Sequence, residues 1–286
     1  MRIMGIESSG LAASVAVVED GLLKGEFTLC NKLTHSETLL PMLKDLLGFL
    51  KLEPEDMDAI AVSAGPGSFT GLRIGAATAK GLALAANRPI VRISSLSSLA
   101  FNCVNAGSSI VCPIMDARRG QVYTAAFQES LEVIPEQACS IQELVAQLND
   151  LESVDVLESE RTFLFLGDGV PVHEDALLQE IDGTCVFVSA ENNRQRAASA
   201  AELGRLLYRK WLRQNHLTAE AVREMGADAV PCFDDTVMNS DEFVPDYLRK
   251  PQAERELESG QLEDAGLHSL KKMEQGGQFR QSRRRE

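Results

Sequence analysis

The sequence predicts an α/β protein built from two copies of one supersecondary order, and three observations carry that expectation. The order strand, strand, strand, helix, strand, helix, strand, helix can be read across residues 2–105, and it begins again at Ser109. Short runs rich in Val, Ile and Ala alternate with longer helical stretches, the pattern of sheets covered by helices. The chain has 286 residues and is 44% apolar, enough to bury one large core or two modest ones. Recurrence of one order without evident sequence identity suggests a duplicated fold with a cleft between two lobes. The lobes are expected at residues 1–107 and 108–251, with a disordered tail at 252–286.

Each element has its own reason. Arg2–Ser8, Ala12–Glu19 and Leu22–Cys30 are strand-like runs joined by turns at Ser9-Gly10 and Asp20-Gly21, which makes a meander. A helix follows near Ser36–Leu50, then a strand at Ala59–Ala64, a second helix from Phe69 to Asn87, a strand at Pro89–Ser94 and a short helix near Leu96–Asn105. The second half reads as strands Ile110–Asp116, Gln121–Gln128 and Glu132–Ala138, a helix near Ile141–Leu151 and a strand Thr162–Leu166. A weaker strand Cys185–Val188 and a long helix Ala197–Gln214 come after it. From Gln252 the composition shifts to Glu, Gln, Gly and Arg, the character of a mobile tail. Arg283–Arg285 could touch RNA or an acidic partner, or simply be solvated.

Gly65-Pro66-Gly67-Ser68-Phe69-Thr70-Gly71 stands between an apolar strand and an Ala/Gly-rich helix. Glycines at such a turn permit positive φ and leave free N–H groups at the helix start, which suits an anion, a close protein contact or a plain tight turn. The formal charge of −14 opposes a nucleic-acid surface on this chain, because phosphate contacts require clustered Lys and Arg. Six scattered cysteines without a C-x-x-C suggest neither a zinc knuckle nor a disulfide framework. The opening apolar stretch is too short for a signal peptide and no run of ~20 apolar residues follows, so a cytoplasmic protein with no membrane segment is expected.

Two helices carry unusual surface. Leu39, Leu40, Met42, Leu43, Leu46, Leu47, Phe49 and Leu50 cover about half of the first helix, against the ~100° stripe of an ordinary surface helix. That helix is either sandwiched within its own domain or offers a docking face. In the second, Gly71, Gly75, Ala79 and Ala83 recur every four residues, with Leu72 and Ala76 beside them. A helical glycine costs about 1 kcal/mol relative to alanine, which points to close helix packing, within the chain or across an interface. Arg73 and Lys80 share one stripe; both can be solvated, and Arg73 could serve an anion near the glycine turn.

At these residues the chain resembles the TsaB (YeaZ) family. The block Ser63–Gly75 carries the resemblance, with Gly5-Ile6-Glu7-Ser8-Ser9, His35-Ser36, Asp116–Tyr123, Gly167-Asp168-Gly169 and Pro245–Pro251. The resemblance implies an α/β, actin-like ATPase (ASKHA) fold of two RNase-H-like lobes, each a mixed sheet flanked by helices. It also implies a subunit that assists TsaD in moving a threonylcarbamoyl group from its adenylate to the adenosine beside the anticodon of ANN-reading tRNAs. TsaE, a P-loop ATPase, would complete the assembly. The first two helices would pair with TsaD or form a homodimer, tRNA would be met through the complex, and ATP or ADP with Mg would act there.

The residues do not suggest chemistry by this chain alone. His35, His173, His216 and His268 lack the second histidine three or four positions away that a helical metal site uses. Glu7 stands where the fold normally has a magnesium-binding aspartate, and the hairpin after it is poor in phosphate donors. No Walker motif and no Gly-x-Ser-x-Gly elbow occur. Glu7, Ser8, Ser9, Gly65, Gly67, Ser68, Thr70, Arg73, Gly167 and Gly169 remain candidates for nucleotide or anion contact. The alternative function is an ASKHA-type ATP-dependent small-molecule kinase or carbamoyl transferase.

Overall fold

The computed structural model describes residues 1–31, 33–129, 131–151, 161–230 and 233–248, so the tail expected at 252–286 lies outside the described residues. Two sheets organise the chain. The first contains β1 (Arg2–Glu7), β2 (Ala13–Glu19), β3 (Leu22–Leu29), β4 (Ala59–Gly65), β5 (Ile90–Ser94) and β11 (Val237–Met238), in the spatial order β11-β5-β4-β1-β2-β3. The second contains β6 (Ile110–Asp116), β7 (Gln121–Gln128), β8 (Leu131–Ser140), β9 (Thr162–Leu166) and β10 (Thr184–Phe187), ordered β10-β9-β6-β7-β8.

In both sheets the first strand pairs antiparallel with the second and parallel with the fourth, and the fifth lies parallel beside the fourth. The repeated order read from the sequence is therefore a repeated topology. Helices cover both faces of each sheet, which therefore buries apolar residues on its two sides. On one face of the first sheet, Met4, Ile6, Val15 and Val17 meet α1 (His35–Leu50) and α2 (Phe69–Ala86). On its other face, Ile3, Ala61, Val91 and Ile93 meet Ala200, Ala201, Tyr208 and Trp211 of α6 (Ala197–Gln214). The second sheet lies between α4 (Ile141–Asn149) with α5 (Val170–Glu180) on one face and α3 (Ser95–Ala100) on the other.

The lobe boundary expected at 107/108 does not describe the later residues. After β10 the chain returns to the first sheet, where α6 covers the open face and β11 pairs antiparallel with β5. Helical period shows which face of α6 is apolar but not which sheet it covers. The short helix expected to Asn105 ends earlier, at Ala100, and continues as a single 3-10 turn, Phe101–Cys103. Among the described residues, α5, α7 (Ala219–Met225), β11 and the 3-10 turns Pro54–Asp56 and Ala227–Ala229 were not foreseen. α5 begins with Pro171 in its first turn, a position where the missing N–H does no harm, and that proline was a usable signal.

Residues 241–247 run back along α2. Lys80 Nζ donates to the Phe243 carbonyl at 3.2 Å, Arg73 Nε to the Tyr247 hydroxyl at 3.3 Å, and the Asp246 N–H to the Ala64 carbonyl at 2.6 Å. Asp246 also pairs with Arg92, whose Nε lies 2.8 Å from Oδ2. Arg73 and Lys80, expected to be solvated, thus hold this strap. The Arg73 guanidinium also lies 3.9 Å over the ring of Phe69, a residue of the glycine turn.

Candidate functional site

The glycine turn and the β1–β2 loop form one packed joint. Ser68 N–H donates to the Ser9 carbonyl at 2.7 Å, Ser8 Oγ to the Gly71 carbonyl at 2.9 Å, and Gly71 N–H to Ser68 Oγ at 3.3 Å. A methyl group at Gly67 would stand 2.3 Å from the Ser9 carbonyl oxygen, and one at Gly71 2.1 Å from that of Ser8. These glycines are required by backbone approaching backbone, the close-contact branch of the sequence reading. The spacing of Gly71 and Gly75 serves the same contact, since a Cβ at Gly75 would meet Ser8 Oγ at 2.2 Å. An anion at the Ser68 amide would have to displace the Ser9 carbonyl.

Glu7 is the centre of the joint. It is fully buried, accepts from Ser9 N–H at 2.7 Å and accepts a short hydrogen bond from Ser63 Oγ. Burial raises its carboxyl above the ordinary carboxylate value, and the bonds from Ser63 and Ser9 only partly oppose this. A carboxylate so enclosed fastens the loop that follows it and has both oxygens committed. His35 Nε2 lies 3.0 Å from the Gly10 carbonyl at the far side of the loop, so this histidine braces the joint. Thr70 is exposed on α2.

Gly167 and Gly169 belong to a separate place, the end of β9. Gly167 N–H donates to Asn193 Oδ1 at 2.6 Å, Gly169 N–H to the Ile114 carbonyl at 3.0 Å, and Asp168 Oδ1 accepts from Asp116 N–H at 3.1 Å. Burial is the main influence on Asp168 and raises its carboxyl. Their recorded partners are residues of the second half, not of the glycine turn. The sequence reading missed Glu136 of β8, which accepts from Ser94 Oγ and, at 3.2 Å, from Ser97 Oγ at the start of α3. It ties the second sheet to the end of the first, and its distance of about forty residues from its partners left no local signal.

The residues expected at a partner interface are placed unlike the expectation. Leu39, Met42, Leu43, Leu46 and Leu47 of α1 are buried, as are Leu72, Gly75, Ala76, Ala79 and Ala83 of α2; most of them pack in the core of the first sheet. The physical reason is that α1 lies over β2 and β3 and against α2 as well, so several neighbours absorb its wide apolar arc. Leu40 is the exception, at 56% exposure. Two further apolar residues of the same helices are exposed, Phe49 at 79%, edge-on to Phe27 of β3, and Leu84 at 64%, and a methyl at Gly48 or Gly81 would meet nothing within 4 Å. Two helical glycines therefore lie where nothing among the described residues gains from their lack of a side chain. None of the helices formed by the described residues is long and apolar enough to cross a membrane.

Two sheets with the same five-strand order, each between helices and joined by crossovers, define the class: this is an actin-like ATPase (ASKHA) fold of two RNase-H-like lobes. A family model described as TsaD, tRNA N6-adenosine threonylcarbamoyltransferase, matches residues 31–257. The tRNA threonylcarbamoyladenosine biosynthesis protein TsaB of Bacillus subtilis is 32% identical over 210 residues, 72% of this chain and 87% of that protein. Its counterpart in Escherichia coli is 40% identical over 129 residues, 45% of this chain and 55% of that one. The chain belongs to the family that this model describes, and within it to TsaB (YeaZ). Among solved structures, a protein described as similar to peptidase YeaZ from Pseudomonas aeruginosa superposes with a TM-score of 0.63 at 22% identity, over 87% of this chain and 99% of that one. YeaZ from Pseudomonas aeruginosa gives 0.57 at 24% identity, over 81% and 99%.

Proposed function

We propose that this chain is a noncatalytic accessory subunit in the biosynthesis of tRNA threonylcarbamoyladenosine, binding and activating the catalytic subunit TsaD. TsaD transfers the threonylcarbamoyl group from threonylcarbamoyl-AMP to the adenosine beside the anticodon of ANN-reading tRNAs, and this chain supplies the surface on which it is held. The observation that carries the reading is exposed apolar surface on both helices, Leu40 on α1 and Leu84 on α2, the latter one turn from Gly81, where an added methyl would meet open space. Side-chain-free positions on exposed helices allow a partner helix to come close, and the apolar residues beside them gain by being covered. In the absence of TsaD the same surface pairs two copies of this chain. TsaE, ATP or ADP and Mg enter through the assembled complex, tRNA is met there too, and this chain needs no cofactor of its own. The committed oxygens of Glu7 and the bond from the Ser68 amide to the Ser9 carbonyl support that assignment.

The test is co-elution with purified TsaD. Leu40→Glu combined with Leu84→Glu should weaken the complex about a hundredfold, roughly 2.7 kcal/mol, without lowering the melting temperature of the free chain. Undiminished binding by the double variant would remove the interface. The competing kinase or carbamoyl transferase reading requires saturable ATP-Mg binding by the chain alone, measured by calorimetry and lost in Glu7→Ala.

A further inference from the structure

A cavity of about 370 Å³ opens between the two segments by which the chain passes from one sheet to the other. Its lining includes Phe101 and Val104, just beyond α3, Leu203 and Leu206 of α6, and Phe127 of β7. α3 leads out of the first sheet and α6 leads back to it, so anything seated here touches both crossovers. An apolar void of about 150 Å³ accepts a benzene ring; this one is large enough for a fused two-ring body. Concave, mainly apolar spaces of about 300–1,000 Å³ with a few polar groups are the usual form of small-molecule sites.

The polar groups set the chemistry. Ser97 is committed to Glu136. The charged group in the lining is Glu129, an exposed residue whose carboxylate has no partner among the described residues. A chain of net charge −14 repels anionic ligands, and an ammonium taken out of water needs a counter-charge. Val104 and Leu206 remain 48% and 40% exposed at the rim, apolar surface that an occupant would cover. We propose that the cavity binds a small amphiphilic amine, its apolar body between Phe101, Phe127 and Leu203 and its ammonium at Glu129. By bridging the two crossovers, such a ligand stabilises their relative placement.

The probe is 1-naphthylmethylamine, titrated into the full chain by calorimetry against 1-naphthylacetate. The amine should bind saturably with a dissociation constant below about 1 mM, at least fivefold tighter than the acid. Glu129→Gln should erase that preference, and Leu206→Trp, which fills the cavity, should abolish binding of both. Because a filled variant can misfold, a second measurement uses the unaltered chain: saturating amine should slow maleimide labelling of Cys103, another lining residue, at least threefold, read by mass spectrometry of its peptide. Equal affinity for amine and acid, or unprotected Cys103 at saturation, would overturn the proposal.

Discussion

Glu7 and Asp116 occupy equivalent places, each closing the first strand of a sheet with the same strand order, yet the chain does opposite things after them. Glu7 is sealed from water, and the loop following it is clamped to the glycine turn. Asp116 is half-buried, reaches Arg118 at 3.3 Å, and leads into a hairpin in which Arg118, Arg119 and Gly120 all have positive φ. A methyl at Gly120 would meet nothing within 4 Å. One topology therefore supports a closed joint or an open tip, and what decides is whether a second backbone crowds the turn. A duplicated fold need not keep a duplicated site.

The largest effect should come from breaking the joint. Gly71→Val drives a side chain into the Ser8 carbonyl, a backbone atom that cannot step aside, and should cost about 3 kcal/mol in urea unfolding. Gly120→Ala meets only the left-handed backbone and should cost about 1 kcal/mol; equal losses would show that crowding does not distinguish the two turns.

Glu7→Gln sharpens the contrast through pH. The folded state holds the Glu7 carboxyl above its ordinary value, so folding favours the protonated form and wild-type stability drains away as pH rises through the interval above that value. The glutamine chain lacks this titration, and its stability relative to wild type should climb as pH rises above the ordinary glutamate value. A flat difference would mean that Glu7 does not resist ionisation. Arg118→Ala should be the smallest change, under about 1 kcal/mol, because its pair with Asp116 is largely solvated.

Apart from β11, the strands of both sheets were legible because alternation and turn residues act locally, and α1, α2 and α6 because their apolar period is strong. Neighbours were not legible. Leu43 and Leu40 look alike along the chain, but one faces Val15 and Val17 in the core and the other faces water. α5 escaped because it buries only Val170 and Leu177, too few positions to set a period. β11 has two residues, and its pairing with β5 is settled by the rest of the sheet. At the site, the glycines were readable as a tight contact, whereas the pairing of Glu136 with Ser94 and Ser97 depends on a fold that brings distant segments together.

The late return of α6 and the strap to the first sheet bears on how the polypeptide is made. A ribosome delivers β1 to β5 long before it delivers Tyr208 and Trp211, which cover Ile3, Val91 and Ile93, and longer still before Asp246 reaches the Ala64 carbonyl and Arg92. The nascent amino-terminal half thus emerges with one oily side bare, and its maturation waits on the last stretch of translation.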